Sequence, residues 1–339
     1  MPQKPRRVTL RDIATETGLS TAAVSYALRG LQVPEETQLR VREAADRLGY
    51  QVDPIARALA SGRTGYVGVL CGSLGDIWQQ GIAAALGREL LHVNRHALIV
   101  DASNDPVVEG SLASQLVDQR VDALIVLPVD PGATHWKAIA ERTVLVSIGD
   151  GIPNAATAAE VVFDNEAAVY GALNQLLRAG HRNIAVLTPG GMATPDRPAE
   201  VVVQRFAEEF GVTATLHTSP HDLERASGVA RDILTAGDRP TAFFCLADSM
   251  AYGVYAAARE LGLSVPGDIS VLGYDDNPVS ALLTPPLSSY RWPIEELVSS
   301  VVDRTVRAIE EDRRSRRKVL TPVAQLRESV APPFGLNGR

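Results

Sequence analysis

Five aspartates and one tryptophan stand where short apolar runs give way to loops: Asp76, Trp78, Asp150, Asp164, Asp248 and Asp275. A carboxylate accepts pairs of hydroxyl hydrogen bonds, and an aromatic face covers the apolar face of a ring, so this mixture suits a sugar or another polyol. Asp164 and Asp248 also stand immediately ahead of helical stretches, where a carboxylate is equally suited to capping the helix. A second set of side chains gathers near the N-terminus: Thr9, Ser20, Thr21, Ala22, Ser25, Tyr26 and Arg29. Small and hydroxyl-bearing side chains at the start of a short helix, with Tyr26 one turn later, can meet base edges and thymine methyls. Ser20 and Arg29 are placed for phosphate. Tyr26 offers no guanidinium, so bidentate reading of guanine is not assumed.

The elements that position the second set are three short helices. Thr9 opens the first in a capping-box pattern with Asp12, Leu10, Ile13 and Ala14 give it an apolar face, and Gly18 ends it. Ser20 caps a second helix over 21–29, with Ala23, Val24, Ala27 and Leu28 inward and Gly30 at its end. Pro34, Glu35 and Glu36 start a third, lined by Leu39, Val41, Ala44, Ala45 and Leu48 and closed by Gly49. The helix-Gly-helix spacing predicts a helix-turn-helix, whose second helix enters the major groove of duplex DNA. Residues 50–64 then form a hinge too short to hold as a lone helix, so it needs a partner.

From Gly65 the pattern changes to apolar runs alternating with amphipathic helices. Strands are predicted at 66–70, 97–100, 123–127 and 144–148, then at 183–187, 213–216, 242–246 and 269–273, with helices such as Asn165 to Ala179 and Ser249 to Leu261 between. Nearly continuous apolar strands point to parallel sheets covered on both faces. Two successive doubly wound sheets make a two-lobed α/β domain, and ligands in such folds bind beyond the carboxyl ends of the strands. The expected fold is an N-terminal all-α helix-turn-helix followed by a two-lobed, periplasmic-binding-protein-like α/β domain.

Charge divides along the same line. Residues 1–63 carry ten basic and seven acidic side chains, whereas the rest carries 23 and 33. A small basic segment on an acidic body puts DNA contact at the N-terminal end. Cys71 and Cys245 each end an apolar run and read as buried free thiols of a reducing compartment. With no apolar run of membrane length and no apolar leader, a cytoplasmic protein is expected. Chemistry is not indicated: there is no Gly-x-Ser-x-Gly elbow, no phosphate-binding Walker loop and no paired-histidine metal spacing, and Gly68 and Gly72 make no dinucleotide fingerprint. No cofactor or metal is expected. A secreted binding protein would share the lobes but would carry a signal peptide and no helix-turn-helix.

The segments Val8 to Ala14, Gly18-Leu19-Ser20, Ala23-Val24-Ser25, Gly49-Tyr50, Ala56 to Leu59, Val162 to Asn165, Gly180 to Ala185 and Val265 to Asp276 together closely resemble the lactose-repressor (LacI/GalR) family of bacterial transcription regulators. The resemblance covers nearly the whole chain. It implies a ligand-controlled repressor that binds a palindromic operator as a homodimer, the lobes closing on a small-molecule effector. It carries Leu59 onto the leucine that wedges the minor groove, with Ala56 close to the bases, and it makes Asp164 and Asp275 the aspartates in the most characteristic motifs. It also implies lobes of 65–163 with 292–322 and of 164–291 with 323–339, after a headpiece of 1–49. The sequence departs from the family in places. Aligned on Phe206 and Gly211, the family's effector arginine falls on Ala199, leaving Arg197, two residues upstream, to replace it. Ala247-Asp248 stands for the usual Asn-Asp pair, and the loop 71–76 lacks its proline. No leucine heptad follows Pro322, which favours a dimer over a tetramer, and the basic run Arg313 to Lys318 reads as a solvated helix end.

Overall fold

The computed structural model describes residues 8–31, 33–50, 62–189, 194, 196–219 and 223–333. It divides into two compact units, Met1–Thr64 and Gly65–Arg339.

The first unit holds α1 (Leu10–Thr17), α2 (Thr21–Leu28) and α3 (Glu35–Leu48). Each start is written in local polar chemistry. The Thr9 amide and hydroxyl both donate to the Asp12 carboxylate at 2.8 Å, and Ser20 Oγ accepts from the Ala23 amide at 3.1 Å. Gly18 ends α1 at φ +69°, a left-handed conformation that costs glycine nothing. Ile13, Ala14, Val24, Ala27, Val41, Ala44 and Ala45 form the core. Leu39, expected inward, is 52% exposed. The buried residues of α3 keep the three-and-four spacing from Val41, and Leu39, two positions earlier, falls on the opposite face. Arg47 of α3 pairs with Glu16 of α1 at 2.9 Å, tying the two across the outside.

The second unit is built on two parallel sheets. The first contains β1 (Tyr66–Cys71), β2 (His96–Asp101), β3 (Ala123–Val126), β4 (Val144–Gly149), β5 (Ala159–Phe163) and, from far along the chain, β11 (Lys318–Leu320), in the order β11-β5-β4-β3-β1-β2. Helices α4 (Ile77–His92), α5 (Pro106–Asp118), α6 (His135–Ala140) and α11 (Ile294–Glu311) accompany it. The second sheet has the order β7-β6-β8-β9, from β6 (Asn183–Thr188), β7 (Thr213–Thr218), β8 (Ala242–Cys245) and β9 (Ser270–Leu272). Its helices are α7 (Asn165–Arg178), α8 (Ala199–Phe210), α9 (Leu223–Thr235) and α10 (Asp248–Glu260). Every strand pair in both sheets is parallel. The all-α unit and the two-lobed α/β unit expected from the sequence are therefore both present.

Central strands β3 and β8 are buried at every residue, as a sheet covered on both faces demands, while the edge strands β2 and β7 are partly exposed. A short antiparallel ribbon of β10 (Ser289–Arg291) and β12 (Val323–Gln325) joins the second lobe through the Leu272–Ser288 bridge. The chain thus passes between the lobes at 163–165, 291–294 and 320–323. Gly253 admits the close approach of α9 to α10, since a Cβ there would lie 2.7 Å from both Ala226 Cβ and the Ser227 amide.

Candidate functional site

In the helix-turn-helix unit, the interior and outward faces of α2 are cleanly divided. Val24 and Ala27 are buried, whereas Thr21, Ala22 and Arg29 are exposed and Tyr26 is 42% exposed. Ser25 is half-buried beside them. The hydroxyls of Thr9 and Ser20 serve the starts of α1 and α2 respectively. The result is an outward row of small, hydroxyl and aromatic side chains at the start of a helix, the geometry that fits a major groove. Ala56 and Leu59 lie outside the described residues.

In the α/β unit a cavity of about 690 Å³ opens between the lobes. Three of the side chains singled out from the sequence line it: Trp78, Asp150 and Arg197. Asp150 follows β4 in the first lobe and Arg197 precedes α8 in the second. Arg197 Nε donates to Asp150 Oδ2 at 2.8 Å, its Nη2 forms an ion pair with the same oxygen at 2.7 Å, and Thr194 Oγ1 donates to Asp150 Oδ1 at 2.9 Å. Burial raises the Asp150 acid, and the Arg197 charge and hydrogen bond draw it back down. Arg197 also donates to the carbonyls of Pro128 at 2.8 Å and Val129 at 3.3 Å. Beside this clasp the Gly151 amide donates to Asp196 Oδ2 at 2.9 Å, and Arg317 pairs with Asp196. Arg197 thus brings a guanidinium to the cavity lining two residues upstream of Ala199, which lines the cavity as well.

The remaining aspartates are held differently. Asp76 Oδ1 caps α4 by accepting the Trp78 amide at 2.9 Å, so it sets Trp78 in place from outside the cavity lining. Asp164 Oδ1 caps α7 by accepting the Ala167 amide at 3.1 Å. Asp248 is buried and accepts from the Asn277 amide at 2.8 Å, Ser289 Oγ at 2.6 Å and Ser280 Oγ. Burial pushes its acid up to about 6 against those three hydrogen bonds. Asp275 sits at φ +111°, and its acid is raised well above the ordinary carboxylate range by burial and by the charges of Asp248 and Asp76.

Next to two of these aspartates the cavity is lined by the adjacent residue: Asn165 after Asp164, and Tyr274 before Asp275. Tyr274 Oη donates to Asn165 Oδ1 at 2.6 Å, and Asn165 Nδ2 donates to the Asp196 carbonyl at 2.7 Å. Both lay inside motifs visible in the sequence, and for Asn165 the signal that separates it from its neighbour is capping. A carboxylate at the N-cap gives its oxygens to the helix, and the first residue of the helix is left to face the cleft. Gln79, Asn104, Thr188, Glu200 and Thr218 also line the cavity and carried no motif. An aromatic row backs it: Trp78 meets Phe163 edge-on at 5.4 Å, Phe163 meets Trp292 at 4.2 Å, and Trp292 meets Tyr274 at 5.4 Å. Among the described residues, the buried Trp78 Nε1 has no hydrogen-bond partner.

The model of the lacI family of bacterial regulatory proteins matches residues 9–53, and a periplasmic binding protein-like domain matches 173–330. The regulator MalR of Streptomyces coelicolor is 30% identical over 306 residues, covering 86% of this chain and 88% of that protein. The chain belongs to the lacI family. The transcriptional repressor PurR of Pectobacterium carotovorum is also 30% identical, over 86% of this chain and 87% of its own. Catabolite control protein A of Priestia megaterium is 28% identical over 86% and 89%. Among solved structures, a lac repressor dimer bound to operator and the anti-inducer ONPF superposes with a TM-score of 0.85 at 23% identity, covering 96% of this chain and all of that one. A complex of the regulator CelR with cellobiose superposes at 0.68 with 22% identity, over 95% and 100%. This lacI-family chain is accordingly a DNA-binding transcription regulator, and its two units carry the two family domains.

Proposed function

We propose that this regulator is a repressor that binds a palindromic operator as a homodimer and adjusts its grip to a small polar effector, sugar-like in its hydroxyls, held between the lobes. The observation that carries the reading is the interlobe cavity, lined from both lobes by polar side chains around an aromatic wall, with the Trp78 indole N–H left for a ligand oxygen. Trp78, Asp150 and Arg197 are the leading contacts, with Asn165 and Tyr274 beside them. Arg197 takes the role of the family's effector arginine. Asp76, Asp164, Asp248 and Asp275 act from behind by fixing the loops that bear these groups. Thr21, Ala22, Ser25, Tyr26 and Arg29 face the operator, Thr9 and Ser20 join them from the starts of α1 and α2, and Ala56 and Leu59 of the hinge complete the contact. The headpiece ends at residue 49, and the lobes comprise 65–163 with 292–322 and 164–291 with 323–339.

A two-fold operator calls for a two-fold protein. Exposed apolar side chains along β2 and α5, such as Ile99 and the 80% exposed Val107, and Leu282 of the second lobe, support dimer formation through the α/β unit. The regulator works in the cytoplasm, where its operator is, and without catalysis. The lac repressor dimer on its operator and the cellobiose-bound CelR show this fold engaged with the same two kinds of partner, and support the reading. The test is a thermal-shift panel of neutral mono- and disaccharides and other polyols against the full-length protein. A compound that raises the Tm of wild type more than that of Arg197→Ala at the same concentration is the expected effector. A panel in which nothing shifts, or in which Arg197→Ala responds like wild type, contradicts the assignment of the cavity.

A further inference from the structure

Glu109 of α5 is the one acidic side chain among the described residues with none of its surface exposed apart from Asp248. Its Oε1 accepts the Val129 amide at 2.5 Å and its Oε2 accepts the Asp130 amide at 3.3 Å. The carbonyls of these same two peptide groups, Pro128–Val129 and Val129–Asp130, are those that accept the Arg197 guanidinium at 2.8 and 3.3 Å. In a trans peptide group the N–H and C=O point in opposite directions. The two peptide groups therefore stand between a carboxylate in the core of the first lobe and a cation of the second, polarised by both.

We infer that Glu109 is a positioning residue for the effector cavity: it holds the two peptide groups that receive Arg197, and through them couples a buried carboxylate of one lobe to closure of the other. This rests on reading the interlobe cavity as the effector site. Burial raises the Glu109 acid to about 7, while the Val129 and Asp130 amides and the Arg197 charge lower it and the Asp130 charge raises it. The groups facing it are Asp130 from the loop after β3, Arg197 from the second lobe, and His135 of α6, whose Nε2 lies 3.9 Å away. Burial lowers the His135 pKa, so above pH 7 that ring is neutral. Opening the lobes withdraws Arg197 and lets the Glu109 acid rise further. The group is thus depressed by closure, and its contribution to the closed form is full above the open-state value and lost as pH falls to about 7.

The experiment is distance measurement between spin labels at the exposed positions of Glu141→Cys and Glu208→Cys, on full-length protein with no ligand added, from pH 6 to 9 at fixed ionic strength. Because no effector is used, a failure of the effector panel leaves this result readable. The closed fraction is expected to grow with pH above 7, with the closed-to-open ratio changing by at most about tenfold per pH unit, the ceiling for one proton. Glu109→Gln and Arg197→Gln should each flatten that dependence. Should Glu109→Gln fail to fold, Arg197→Gln carries the test alone, since its side chain is about one-third exposed. A wild-type ratio that ignores pH, or an Arg197→Gln protein that keeps the wild-type slope, overturns the coupling.

Discussion

The headpiece and the α/β unit solve the problem of presenting side chains in opposite ways. In the headpiece, seven buried apolar residues suffice, and the polar contacts that start α1 and α2 each span three residues, from Thr9 to Asp12 and from Ser20 to Ala23. In the α/β unit the groups that meet come from residues 128, 150, 165, 197 and 274, far apart in the chain and on both sides of a cleft. A surface made by local chemistry is fixed once its helix forms. One made by tertiary contacts can move when the lobes move, and this is the property that a switch requires.

That contrast can be broken most forcefully at the small core. Ile13→Ala should cost about 3 kcal/mol, enough to unfold the headpiece and abolish operator binding, while a calorimetric melt of the α/β unit stays where it was. A shared loss of both transitions would show that the units do not fold separately. The next effect belongs to Asp248. Its acid is raised by burial to about 6 in the folded protein from an ordinary value of 3.8. The folded form therefore holds the proton more tightly, and the stability it confers is present below about pH 4 and lost as pH rises through about 6. Relative to Asp248→Asn, denaturant unfolding of wild type should lose about 2 kcal/mol across that window.

Arg197→Ala sharpens the comparison from the cleft side. It leaves the buried Asp150 with Thr194 as its remaining side-chain donor among the described residues, and should weaken effector binding about tenfold by titration calorimetry, near 1.5 kcal/mol after allowance for the partial exposure of the pair. Smallest is Ser20→Ala, which removes the α2 cap and should lower headpiece stability by about 1 kcal/mol, seen as a lower first transition with the effector affinity unchanged.

The same contrast explains what the sequence disclosed. The headpiece was legible almost to the residue because capping and helical period are local signals, and the one misplaced side chain, Leu39, violated a period that could have been counted. The central strands were legible because both-face burial demands unbroken apolar runs, and the edge strands β2 and β7, partly exposed, because they fall in the same strand-helix alternation. β5 was missed because Glu160 interrupts its run, and β10, β11 and β12 because three residues are too few for a pattern and each owes its existence to a partner distant in sequence. In the cleft, motifs led to segments that border the cavity, but telling Asp164 from Asn165 requires knowing that the helix end has already taken the carboxylate. Glu109 gave no sign at all, since burial of a carboxylate under a remote loop leaves no trace in spacing.

The central claim is that the outward face of α2 reads one two-fold sequence, and capture of genomic fragments by the full-length protein at fixed salt, followed by sequencing, tests it most directly. The account predicts a single enriched palindrome whose enrichment falls at least about tenfold with Tyr26→Ala. Enrichment without two-fold symmetry, or a palindrome captured equally well by Tyr26→Ala, would contradict it.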